Sequence, residues 1–151
     1  MSAELESCFS NLKPSSYKTT SERTPLYNCI AFAAGETHRW WWPIGGYWPK
    51  PAPCNETVDS FIRAFDILGY SPCDDGTLEE GFEKVAIYID ERGTPTHMAK
   101  QLPSGMWISK CGQLEDIEHE TLEALSGFGP TEYGVVARFL KRAIQKRAIQ
   151  K

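Results

Sequence analysis

The sequence predicts an α+β domain, with helices first and one antiparallel sheet after them. Three observations predict it. Val58, Phe61, Ile62, Phe65 and Leu68 recur at the spacing of one helical face. Val85, Ile87 and Ile89 alternate with Ala86, Tyr88 and Asp90, the period of a half-buried strand. Turn residues at Glu91–Thr94 and Pro103–Gly105 then divide the following stretch into a three-stranded meander. Helices placed before a single antiparallel sheet define the class. The chain has 151 residues, which suits one domain.

Each element follows from local sequence. Residues 1–24 are polar and carry Pro14-Ser15-Ser16, so an irregular N-terminal arm is expected before a domain over 25–140. Asn28 is a candidate N-cap that places Cys29 in the first turn of a short apolar helix stopped by Gly35. Arg39 to Pro53 is an aromatic, Pro- and Gly-rich loop with Trp40, Trp41, Trp42, Tyr47 and Trp48. The main helix over 55–69 takes its cap from Asn55 or Thr57 and its end from Gly69. Strands are expected over 85–90, 96–102 and 106–111. Thr121–Ser126 and Val135–Ile149 read as helical. Residues 141–151 read as a basic helix end and tail, since Lys141–Gln145 recurs as Lys146–Gln150.

Composition excludes several classes. Hydrophobic residues are 41% and charged residues 24%, as in a globular domain. A net charge of −4 argues against nucleic acid as a partner. No apolar run reaches the roughly 20 residues of a membrane span, so no membrane partner is expected. The five cysteines are scattered, none in a Cys-x-x-Cys pair. That argues against a zinc site, and neither a metal nor a cofactor is expected. Unpaired thiols behind an N-terminus without a basic apolar leader predict a cytoplasmic setting.

The chemistry centres on Cys29. The positive end of a helix dipole favours a thiolate, and free cysteine titrates near ~8.5. A thiol hydrolase also needs an imidazole within reach and a polar group to orient it. His97 stands on the second predicted strand, His38 in the aromatic loop, and His119 after an acidic run. With Pro103–Gly105 as the turn, position 97 opposes about 111 and 99 opposes about 109. The partner of His97 then comes from 107, 109 or 111, which includes Ser109. Asp116, Glu118 and His119 are alternatives of suitable chemistry beyond that strand, and Cys111 is a rival nucleophile. The Cys29 backbone N–H is an oxyanion donor, with Tyr27 and Asn28 the nearest polar side chains. Trp42 and Trp48 flank Pro43 and Gly45-Gly46, and are candidates for an exposed apolar wall of a substrate groove.

A Cys opening an Ala-rich helix, followed by a His on a sheet strand, resembles the papain-like cysteine hydrolases. Cys29-Ile30-Ala31-Phe32 is similar to the nucleophile helix of papain, although Arg23 stands where papain-like proteases carry an upstream Gln. The length is closer to the NlpC-type and CHAP-type amidases and the lecithin:retinol acyltransferase-like enzymes. Thr96-His97-Met98-Ala99, Trp107–Gly112 and Asp116–His119 also look like a small bacterial family of papain-like domains. The resemblance covers roughly 25–140. It implies a papain-like fold in which the Cys29 helix packs on the sheet carrying His97. It also implies a third residue on the next strand, at Ser109, where relatives more often carry His, Asn, Asp or Glu. Tyr27 is loosely similar to the upstream Tyr of the NlpC type. The implied activity is a cysteine peptidase or amidase that cleaves a peptide or other amide through an acyl-enzyme. Two alternatives stay open: an inactive binding module that uses the aromatic loop, and an acyl or amide transferase on the same Cys–His pair.

Overall fold

The computed structural model describes residues 3–111 and 114–144. Three short helices, α1 (Ala3–Cys8), α2 (Cys29–Ala33) and α3 (Val58–Ile67), accompany seven strands. The strands are β1 (Tyr17–Thr19), β2 (Ser71–Cys73), β3 (Phe82–Ile89), β4 (Pro95–Gln101), β5 (Trp107–Lys110), β6 (Asp116–His119) and β7 (Val135–Ala143). They form one sheet in the order β1-β6-β5-β4-β3-β7-β2, with every neighbouring pair antiparallel. The α+β class is therefore the class of the fold.

Both faces of the sheet are covered. Val85 and Ile87 join Met98, Leu140, Phe61, Phe65 and Trp41 in a core beneath α2 and α3. Ala86 and Tyr88 join Ala99, Trp107, Ile117, Leu5 and Leu125 in a second core on the opposite face. Strand β3 is thus buried on both sides rather than half-buried. The N-terminal arm is not irregular: α1 supplies the fully buried Leu5, and β1 extends the sheet beside β6. α3 forms where its periodicity places it, capped by the Thr57 side chain, which accepts from the Ser60 N–H.

The C-terminal segment differs most from expectation. Val135–Ala143 is a strand inserted between β3 and β2, not a helix. Its Ala, Lys and Arg content favours helix locally, but pairing along β3 and burial of Leu140 outweigh propensity. The rest of the expected basic tail, 145–151, lies outside the described residues. Thr121–Ser126 forms only a 3-10 turn at Leu122–Leu125.

Gly127 and Gly134 exchange backbone hydrogen bonds of 2.8 and 2.7 Å and so close a loop that ends at β7. At Gly134 φ is +87°, and a Cβ there would overlap the Ile89 carbonyl oxygen of β3. Gly93 has φ +84° but faces open space. Gly134→Ala is expected to cost about 3 kcal/mol or more, from backbone strain plus the displaced strand. Gly93→Ala carries strain alone, about 1–2 kcal/mol. Urea denaturation of both variants checks this; equal losses would contradict it.

Candidate functional site

The start of α2 is held by one side chain. Asn28 is buried, and its Oδ1 accepts from the N–H of Ala31 at 3.1 Å, which caps the helix. The same oxygen accepts from the Trp41 N–H at 3.1 Å, while Nδ2 donates to the Trp41 carbonyl at 2.8 Å. One amide therefore fixes both the helix that carries Cys29 and the tryptophan loop beside it. Helix α2 packs across β4 and β5, whose ladder pairs Lys100 with Ile108 and Gln101 with Trp107. These two pairs have the register in which 99 would oppose 109, though the ladder itself ends at Lys100 and Ile108.

Cys29 is 7% exposed. Its sulfur is faced by the backbone N–H groups of Met98, Cys29 and Ile30, all of which favour the thiolate, as does the charge of Lys110. Burial opposes them and wins, pushing the thiol up to about 11. The expectation of a dipole-lowered thiolate is corrected: a helix of five residues does not offset the loss of water around the sulfur. Cys29 rests as a neutral thiol.

His97 is fully buried on β4. Its Nε2 lies 3.0 Å from the Ser109 hydroxyl, and Ser109 lies 2.8 Å from His119 Nε2. The line ends at the Thr121 carbonyl, 2.8 Å from His119 Nδ1. Burial holds His119 neutral, with a pKa lowered to about 4, and lowers His97 well below its ordinary value, helped by the proximity of His119.

The hydrogen-bond polarity follows from the end of the line. A carbonyl only accepts, so His119 carries its proton on Nδ1. Its Nε2 then accepts, and Ser109 donates to it. The Ser109 oxygen is left to accept from His97 Nε2–H. The His97 Nδ1 is thereby an unprotonated nitrogen, and it is buried with no hydrogen-bond partner, to Cys29 or to any other described residue.

Tyr133 lies flat on the His97 ring, with centroids 4.1 Å apart and planes 5° apart. Tyr133 and Cys29 both line a cavity of about 540 Å³, together with Trp42 and Trp40. That volume lies within the range of small-molecule sites.

The structure thus brings Ser109 to His97 and sets Asn28, Cys29 and Trp42 on one cavity. It does not bring every candidate there. The Tyr27 hydroxyl donates to Asp116 Oδ2 at 2.6 Å, and its ring stacks on Phe32, so Tyr27 is a buried brace and not an oxyanion donor. Trp48 is core: its indole N–H donates to Ser60 at 3.2 Å and its ring packs on Phe61. Cys111 is buried outside the cavity, and burial raises its thiol strongly. His38 is exposed and Glu118 pairs with Lys18. His119, expected beyond the strand that holds Ser109, stands on β6 and joins the line from the far side.

Tyr133 was not expected at the site. Its only sequence signal is an aromatic residue among Gly127, Gly129, Pro130 and Gly134, which marks a tight, shaped loop. Among the described residues no cluster of His, Cys, Asp or Glu is arranged to hold a metal, and no helix is long and apolar enough to cross a membrane.

Fold and site together define an α+β domain with a buried imidazole line beside an aromatic cavity. Residues 18–141 match the family model of a domain of unknown function, DUF7689, and the chain belongs to that family. No curated protein and no solved structure matches the chain.

Both imidazoles bind protons more readily unfolded than folded. The stability they permit is complete above 6.5 and is lost as pH falls towards about 4, the window set by His119. His119→Gln is expected to flatten the fall in unfolding free energy across that window, measured by urea titration at several pH values. An unchanged pH slope would contradict the neutral, buried assignment.

Proposed function

We propose that the protein is a papain-like thiol hydrolase acting on an amide or related acyl bond. The observation that carries this reading is the buried, unpartnered and unprotonated Nδ1 of His97, on the strand whose Met98 N–H faces the Cys29 sulfur. A lone pair kept free of partners inside a protein costs stability, and general-base chemistry is a reason to keep it.

The resting pair is neutral thiol and neutral imidazole. The Cys29 proton passes to His97 Nδ1 as the sulfur attacks the carbonyl carbon. The Cys29 backbone N–H donates to the oxyanion that forms. His97 returns the proton to the departing amine or alcohol, leaving a thioester on Cys29. Water, with His97 again as base, then releases the acid and restores the thiol. An amine or alcohol in place of water gives transfer through the same residues. Cys–His contacts in substrate-free sites are commonly loose and tighten on binding, which suits a pair without a resting hydrogen bond. A second reading, a binding module without catalysis, is favoured by the burial of Cys29 and its upward-shifted thiol.

The two readings separate with p-nitrophenyl acetate. The hydrolase is expected to release a burst of nitrophenolate and to carry an acetyl group on Cys29, located by peptide mass spectrometry. Cys29→Ala abolishes the burst, and His97→Ala slows acylation by about 10²–10⁴-fold. Ser109→Ala, which frees the imidazole from its partner, slows it by about tenfold to a hundredfold. Acetylation of the exposed Cys54 in place of Cys29, or acylation indifferent to His97→Ala, would favour the binding module.

A further inference from the structure

The thioester chemistry needs an acyl group seated beside Cys29, and the cavity there presents a wall of one character. No charged side chain lines it. Its polar side chains are already engaged with protein. The Asn28 amide is spent on Ala31 and Trp41. The Trp40 indole N–H donates to the Pro25 carbonyl at 2.6 Å, and that of Trp42 to Glu56 at 2.6 Å. The Thr96 hydroxyl donates to the Tyr133 carbonyl. What remains is the Cys29 thiol and the Tyr133 hydroxyl, which has no hydrogen-bond partner among the described residues. Burial keeps that phenol protonated, so it adds no charge.

The two carboxylates nearest in sequence to the tryptophan loop are turned to other work. Glu36 accepts from the Trp41 indole and from Arg39, and Glu56 accepts from Trp42. Arg39 lies over the Tyr47 ring, with its guanidinium carbon 3.5 Å from the centroid. At the rim, Ile44 is 61% exposed and Trp40 is 42% exposed, apolar surface left open to water beside the nucleophile. Such a wall repays removal of apolar surface from water, while its side chains give an ion no counter-charge and only the Tyr133 hydroxyl in place of its hydration.

Resting on the thiol-hydrolase reading, we infer that the acyl group this site takes is uncharged and apolar, and that anionic acyl groups are rejected. Trp42, edge-on to Phe61 at 5.5 Å, supplies a firm side of the pocket. The Tyr133 hydroxyl is the one neutral polar tip left to meet the substrate.

S-ethyl thioesters of acetic, phenylacetic and succinic acids test this, because the small leaving group leaves the cavity to the acyl part. Rates are normalised to those with free hydroxide, and acid release is followed by NMR. The phenylacetyl thioester is expected to exceed the acetyl one in kcat/KM by about tenfold or more, and the succinyl one to fall below the acetyl one. Trp42→Ala should shrink the phenylacetyl-to-acetyl ratio towards one. A succinyl thioester as good as the phenylacetyl one would overturn the inference while leaving the hydrolase standing. A second arm needs no turnover: Cys29→Ala protein is titrated with phenylacetamide and with succinamate by calorimetry. Binding of phenylacetamide alone supports the inference even where no thioester is cleaved, in which case only the hydrolase reading fails. Equal binding of both, or of neither, overturns it.

Discussion

The Ser109 hydroxyl, shared between two buried imidazoles, is the contact on which the arrangement of the site depends. It joins β4, β5 and β6 through His97, Ser109 and His119, and Thr121 closes the line with its carbonyl at the start of a 3-10 turn. A buried polar group left without a partner costs about 1–3 kcal/mol, so the line is stable only if nearly every member is satisfied. The three side chains point to one face because the strands hold a fixed register, in which Trp107 opposes Gln101 on one side and His119 on the other. A slip of one residue in any of these strands would turn an imidazole to the opposite core. Within this line the one ring nitrogen left unsatisfied, His97 Nδ1, is therefore singled out by the satisfaction of the others.

The Cys29 thiol is governed by a different balance. Three backbone N–H groups and the buried Lys110 all favour a charged sulfur, yet loss of solvent outweighs them and the thiol stays protonated. Lys110 is itself lowered by burial and lies over the Tyr27 ring at 5.4 Å, so its charge is partly spent on the brace formed with Asp116. In the thiol-hydrolase reading the site therefore works by proton transfer during attack rather than through a standing ion pair. Asn28 couples this to the cavity, because the side chain that starts α2 also fixes the backbone of Trp41.

Much of this was legible in the sequence, and the losses have physical causes. The Asn28 cap, the α3 face and the meander follow from local rules of capping, periodicity and turn chemistry; the turn register narrows the partner of His97 to 107, 109 or 111, and the papain-like resemblance points to Ser109 among them. The thiolate expectation failed because the dipole of a helix start can be read from sequence and the burial of the sulfur cannot. The sequence of β7 favours helix locally because the pairing partner that makes it a strand, β3, lies far along the chain. Asp116–His119 is too short for a clear alternation to mark β6, so nothing local places His119 on the sheet. Tyr27 and Trp48 were assigned by closeness in sequence to Cys29 and the loop tip. Their true partners, Asp116 and Ser60, come from distant or differently oriented elements. Tyr133 reaches His97 only through a loop whose closure depends on the pairing of Gly127 with Gly134.

The hydrogen-bond line leaves His97 with a free, unprotonated Nδ1. Nitrogen-15 NMR of the histidine-labelled protein at neutral pH tests it most directly, with His97 assigned through His97→Gln. A pyrrole-type resonance is expected for His97 Nε2 and a pyridine-type resonance for Nδ1, with both His119 nitrogens in the opposite assignment. A His97 protonated on Nδ1, or on both nitrogens, would contradict it.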